Sequence, residues 1–197
     1  AASLIQATKK AGLPVSVKTR LGHAKVDEYK DWITHLLKQD ITNLSIHLRT
    51  KVEMSKYPAH YELIPDILKI RDEIAPETLI TLNGDIEDYQ HGMKLIEETG
   101  ADGIMIGRGV FHNPYAFDKE GKVPTPKELI DLLRTHLDYV DHYVKIEPNL
   151  KKPLQRFFKI YIKEMKGANK LRTDLMNTKT TDEVRILLDA FESKNTL

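Results

Sequence analysis

Thr78-Leu79-Ile80-Thr81-Leu82-Asn83-Gly84-Asp85 and Gly103-Ile104-Met105-Ile106-Gly107-Arg108-Gly109 decide the fold class. Each carries a short apolar run into a glycine turn. After Asp85 the pattern becomes helical, with Tyr89, Met93 and Ile96 on one predicted face and Gly100 placed as a C-terminal cap. An Asn-Gly hairpin would need a second strand instead. A strand that runs through a glycine turn into a helix is the building unit of a parallel sheet.

Working outward, two earlier runs read the same way. Strands are predicted at Leu13 to Val17, Asn43 to Ile46, Thr78 to Leu82 and Gly103 to Ile106. Between them, Val26, Tyr29, Trp32, Ile33, Leu36 and Leu37, then Leu63, Ile64, Ile67, Leu68 and Ile74, fall at helical spacing. Lys18 to His47 is 29 positions, His47 to Asn83 is 36 and Asn83 to Gly107 is 24. Units of a closed barrel average roughly 30 residues. Four such units fit half of a barrel or an open doubly wound sheet, and periodicity alone does not separate the two.

Residues 118–126 have linker composition, and beyond them the strand pattern stops. Thr125, Pro126 and Glu128 form a capping box with proline at the first helical position. Three apolar stripes follow: Leu129 to Val140, Leu154 to Met165, and Val184 to Phe191 entered through Thr180 and Glu183. The tail is therefore expected to be a small bundle of about three helices.

Each strand run ends in polar or basic groups. They are Lys18 and Arg20; His47 and Arg49; Asn83, Gly84 and Asp85; and Gly107 and Arg108. In parallel β/α folds, ligands bind at the carboxyl ends of the strands, so the four clusters are expected to share one rim. Either glycine motif alone reads more readily as a mere tight turn. The pair, one unit apart, points to a phosphate: glycine lets backbone amides approach an anion, and Arg108 supplies a bidentate clamp. No cluster has the spacing of a zinc site, a Ser-His-Asp triad or a glycosidase carboxylate pair.

In the tail, Lys152, Arg156, Lys159, Lys163, Lys166 and Lys170 recur at intervals of four and three. On a continuous helix they share one face, opposite Phe157, Phe158 and Tyr161. Residues 151–172 hold eight Lys or Arg against the single acid Glu164. A single-sign stripe of this density suits a nucleic-acid backbone, although the net charge of the whole chain is only +1.

Val17-Lys18-Thr19-Arg20-Leu21-Gly22, Ile46-His47-Leu48-Arg49-Thr50, Asn83-Gly84-Asp85-Ile86 and Gly103-Ile104-Met105-Ile106-Gly107-Arg108-Gly109 with Asn113-Pro114 together resemble the tRNA-dihydrouridine synthases, in that family's order. The resemblance implies an α/β fold, the C-terminal half of a (β/α)8 TIM barrel over residues 1–117. A linker at 118–126 and a small all-α, tRNA-binding domain at 127–197 would follow. It implies an oxidoreductase in which NADPH reduces FMN and a uridine of tRNA becomes 5,6-dihydrouridine; the alternatives are a non-catalytic RNA-binding fragment or another phosphate-binding TIM-barrel enzyme. Lys18 and His47 would contact the flavin. Asn83, Gly84, Asp85, Gly107 and Arg108 would surround its phosphate. Arg20, Arg49 and the six tail cations are assigned to the tRNA.

Three features depart from the family pattern. Leu48 stands where the histidine motif usually has glycine, and Phe158, Lys159 and Ile160 stand where the tail usually carries a histidine. The proton donor is a cysteine in an Asn-x-Gly-Cys-Pro segment, and these 197 residues contain no cysteine. No catalytic residue is therefore assigned within them.

The chain opens on alanine in mid-helix, so an upstream portion is expected. No apolar run approaches the roughly 18 residues of a membrane span, and neither a membrane nor a metal is expected as partner. A cytoplasmic protein is expected. The unpaired edges of half a barrel invite self-association.

Overall fold

The computed structural model describes residues 1–144 and 154–195. The chain divides into two compact units, residues 1–110 with 116–121, and residues 111–115 with 122–197.

The first unit is a parallel four-stranded sheet in chain order, formed by β1 (Ser16–Arg20), β2 (Asn43–His47), β3 (Leu79–Asn83) and β4 (Gly103–Met105). After a short helix α1 (Ala2–Lys9), the strands alternate with α2 (Tyr29–Leu37), α3 (Ile64–Ile74) and α4 (Tyr89–Thr99). Alternate strand residues face opposite sides of the sheet. On one side Leu44, Ile46, Ile80 and Leu82 are fully buried in a cluster with Ile33, Leu36, Leu37, Ile64 and Ile67 of the helices. The other side is polar. Asn43 donates to Ser16 Oγ and Ser45 Oγ, both at 3.0 Å, and Thr81 donates to Asn43 Oδ1 at 2.7 Å.

The alternation of strand and helix is as predicted. β1 starts at Ser16 rather than Leu13, because pairing with β2 begins at Ser16 and Leu13 is exposed. The predicted face of α4 is wrong in part. Met93 is exposed, while Gly92 and Leu95 are buried. A Cβ on Gly92 would lie 2.0 Å from Ile104 Cδ1, so the missing side chain is what brings α4 onto β4. Gly100 does cap α4, in the left-handed conformation at φ 77°.

In the second unit, α6 (Pro126–Val144) opens on the expected capping box. Thr125 N–H donates to Glu128 Oε2 at 2.8 Å, and Glu128 N–H donates to Thr125 Oγ1 at 3.2 Å. It follows α5 (Gly109–His112), which spans the junction of the two units. After it come α7 (Phe158–Tyr161), α8 (Ala168–Met176) and α9 (Thr181–Asn195). Ile130, Leu133, Leu137, Phe158, Leu171 and Leu188 belong to one buried cluster. Arg134 pairs with Asp189 and Glu192, and Arg185 with Asp138 and Asp141, which ties α6 to α9.

The continuous basic helix expected across residues 151–172 is not present among the described residues 154–172. The chain leaves helical geometry at Ile162 (ψ 81°), Glu164 (φ 52°) and Gly167 (φ 85°). Arg172 donates from Nη1 to the freed Ile162 carbonyl at 2.6 Å, which satisfies the break. The cations kept helical spacing through a turn, so the charge pattern concealed it.

Candidate functional site

Pairing register fixes the rim. Arg20 lies opposite His47, His47 opposite Asn83, and Asn83 opposite Met105. Lys18, two residues before Arg20, points to the same polar side of the sheet. Its ammonium donates to Asn83 Oδ1 at 3.1 Å, while Asn83 Nδ2 donates to the Met105 carbonyl at 2.7 Å. The Asn83 amide is thus oriented from both sides, and one side chain links groups on β1 and β4. Burial, reinforced by Arg20, holds the Lys18 pKa below its ordinary value.

His47 is half-buried, and its Nδ1 is enclosed with no hydrogen-bond partner. Burial lowers its pKa to about 4, helped by Arg20, Arg49 and Lys18. The ring is therefore neutral at pH 7.

The turn after β3 needs its glycine. Gly84 sits at φ 122° and Asp85 follows at φ 55°, in the left-handed region that Asp tolerates better than most residues. The Gly84 carbonyl accepts the Tyr61 hydroxyl at 2.5 Å. Burial and the neighbouring Asp85 carboxylate raise the Tyr61 hydroxyl to about 12. Asp85 Oδ2 accepts from Arg49 Nη2 and from the Ala59 amide at 3.1 Å, and Oδ1 accepts from Arg108 Nη2 at 3.0 Å. The Arg49 hydrogen bond to Asp85 is the main cause of that carboxyl's depressed pKa.

The two remaining rim glycines differ in a way that tests for a ligand. A Cβ on Gly109 would stand 1.9 Å from the Glu87 carbonyl oxygen, so the protein's own packing forbids a side chain there. A Cβ on Gly107 would meet nothing closer than Asn83 Nδ2 at 4.0 Å. Packing does not require glycine at 107, and open space beside Asn83 remains. That space and the exposed Arg108 guanidinium beside it fit an anionic ligand.

The structure corrects one site assignment outright. Arg49 is only 2% exposed, with Nε donating to the Tyr57 carbonyl at 2.5 Å and Nη2 to Asp85. It cannot meet an RNA in solvent. Asp85 is an acceptor, and both its oxygens are engaged by arginines. Arg20 keeps some exposure. It donates to the Thr50 carbonyl at 3.1 Å and lines an open groove of about 630 Å³ with Lys18, His23, Trp32 and Lys51.

In the second unit, the six tail cations separate into groups. Lys152 lies outside the described residues. Lys163 donates to the His112 carbonyl, and Lys170 pairs with Asp174 at 3.2 Å. Among the described residues, Arg156, Lys159 and Lys166 are exposed and make no ion pair. Arg156 lies 4.8 Å above the Phe157 ring, a cation–π contact that leaves its charge outward. Arg156 and Lys159 line a groove of about 540 Å³ together with Arg172. The periodic reading missed Arg172 because it is out of step with the stripe. It missed Tyr61 because nothing local connects that residue to a glycine 23 positions later. Among the described residues, no group of three or more His, Asp or Glu could hold a metal.

A sequence model of the family described as Dihydrouridine synthase (Dus) matches residues 1–196. The chain is 65% identical over 194 residues to a protein of Bacillus subtilis (strain 168) named probable tRNA-dihydrouridine synthase 2, covering 98% of this chain and 60% of that protein. It is 59% identical over 194 residues to a probable tRNA-dihydrouridine synthase of Staphylococcus aureus (strain Mu50), covering 98% of this chain and 59% of that protein. A Staphylococcus epidermidis relative of the same name is 57% identical over 194 residues, with 98% and 60% covered. The chain thus spans about 60% of the length of these curated relatives.

Proposed function

This chain belongs to the dihydrouridine synthase family, and from that premise we propose that it forms the phosphate-clamping and RNA-gripping part of an FMN-dependent enzyme that reduces tRNA uridine with NADPH. The four β/α units would be the C-terminal half of a (β/α)8 barrel, residues 1–117. Residues 118–126 would link them to a tRNA-binding helical domain at 127–197.

The observation that carries the cofactor reading is the contrast at the rim, where Gly109 is demanded by packing and Gly107 is not. Gly107 and the Asn83 corner leave room for a phosphate, and Arg108 would supply its counter-charge. Lys18, fixed by Asn83, and neutral His47 would line the ring end, where an ammonium steadies negative charge and an imidazole offers a hydrogen bond. When bound, FMN would supply the hydride that reduces the C5–C6 double bond of the uracil, having been reduced by NADPH. Reaching a flavin requires a uridine to leave its stack. Arg156, Lys159 and Lys166, with Arg172 in the groove, would hold the RNA backbone meanwhile. On this reading the proton donor would be a cysteine that is not among these 197 residues. This stretch alone is therefore expected to bind FMN weakly and tRNA measurably, without turnover.

Titration of the chain with FMN and with riboflavin tests the cofactor reading. FMN should bind at least about tenfold more tightly, as one charge-assisted phosphate clamp provides, and Arg108→Ala should remove the difference. Equal affinities for the two flavins would reject it.

A further inference from the structure

We propose that Arg49 and Asp85 are positioning residues that set the site's preference for a phosphorylated flavin by holding Arg108 in place. The inference rests on the phosphate reading above and concerns side chains of this chain alone.

A buried guanidinium is costly unless its charge and its N–H groups are met. Arg49 is nevertheless buried; its Nε is directed at one carbonyl and its Nη2 at one carboxylate, while its buried Nη1 has no partner among the described residues. That carboxylate belongs to Asp85, whose other oxygen holds Arg108 at 3.0 Å. Arg108 makes no other hydrogen bond among the described residues, and its side chain is 60% exposed. Three points of the segment between β2 and α3 fasten the Gly84–Asp85 turn. The Tyr57 carbonyl acts through Arg49, the Ala59 amide binds Asp85 directly, and the Tyr61 hydroxyl binds the Gly84 carbonyl. Arg49 thus anchors Asp85 from the interior, and Asp85 presents Arg108 to solvent. Without that anchor, a long exposed arginine loses rotamer freedom each time it closes on an anion.

Two physical effects oppose each other at Asp85. Its negative charge lies near any phosphate held by Arg108, so by charge alone its removal would strengthen FMN binding. Its grip on Arg108 pre-orders the clamp, so by position its removal would weaken FMN binding. The burial of Arg49 behind it argues that position wins, because charge balance at an exposed arginine does not require a buried partner.

The experiment is titration of wild type, Asp85→Asn and Arg108→Ala with FMN and with riboflavin, followed by flavin fluorescence. In Asp85→Asn the FMN-over-riboflavin ratio should fall about tenfold, the scale of one charge-assisted clamp. Riboflavin affinity should stay within about twofold, since riboflavin does not use the clamp. A ratio that rises or stays constant in Asp85→Asn, while Arg108→Ala loses it, rejects the positioning role and leaves the phosphate reading standing. An equal loss for both flavins reduces Asp85 to a structural role and also overturns the proposal. No FMN preference in wild type would reject the phosphate reading and this inference with it. Should Asp85→Asn leave Arg49 unpaired and the chain unfolded, the Arg49→Met/Asp85→Asn double variant removes both buried partners and should show the same fall in ratio.

Discussion

Lys18 and Asn83, 65 residues apart in the chain, meet through a 3.1 Å hydrogen bond on the polar side of the sheet. The same asparagine donates to the Met105 carbonyl, so its amide spans the sheet from β1 to β4. Asn83→Ala removes a partner from each side and should cost about 1–3 kcal/mol in urea unfolding. Asn83→Asp keeps the acceptor for Lys18 but sets an acceptor against the Met105 carbonyl, and should not restore the loss. Full recovery of stability in the aspartate variant would show that only the Lys18 contact matters.

His47 makes stability depend on pH in a defined window. Its folded pKa is about 4, against 6.5 for an ordinary histidine, so the unfolded chain takes up the proton first as pH falls. Its contribution is present above pH 6.5 and is lost between 6.5 and 4. The full shift corresponds to roughly 3 kcal/mol, which solvent access to a half-buried ring reduces to about 1–2 kcal/mol. His47→Gln should flatten the urea-midpoint profile over that window. An unchanged slope would place the pH dependence elsewhere.

Gly107 and Gly109 should respond oppositely to alanine. Gly109→Ala drives a Cβ into the Glu87 backbone and should cost about 3 kcal/mol. Gly107→Ala enters open space and should leave stability within about 0.5 kcal/mol, while weakening FMN by about tenfold. A Gly107→Ala chain that binds FMN normally would remove the main support for the phosphate site.

The split of the basic stripe predicts unequal effects on RNA. Replacing Arg156, Lys159 and Lys166 together with alanine should weaken tRNA binding and lower the slope of log affinity against log salt by about 2–3. The Lys163→Ala/Lys170→Ala pair, already engaged by His112 and Asp174, should change it by less than about 1. Equal slopes for the two variants would restore the single-face picture.

Much of the fold was readable because its signals are local. Gly100 and the Thr125–Glu128 box mark helix ends within four residues of the groups they cap. The apolar runs locate the strands to within three residues. The face of α4 was misread because its closest contact is made by Gly92, which has no side chain to register in a pattern of apolar residues. The tail helix was misread because cations can keep a period of three and four through a turn that Gly167 and Arg172 make possible.

By itself the sequence determined the alternation of strands and helices and the presence of polar strand ends and glycine turns, since each depends on neighbours a few positions away. It did not determine that Arg49 is an interior anchor, that Asp85 faces two arginines, or that Gly107 borders open space while Gly109 does not. Those outcomes depend on groups 23 to 36 residues apart being brought together by strand register. A buried charge reveals its role only when its counter-charge is seen beside it, because spacing along the chain carries no record of which distant carboxylate offsets the cost of burial.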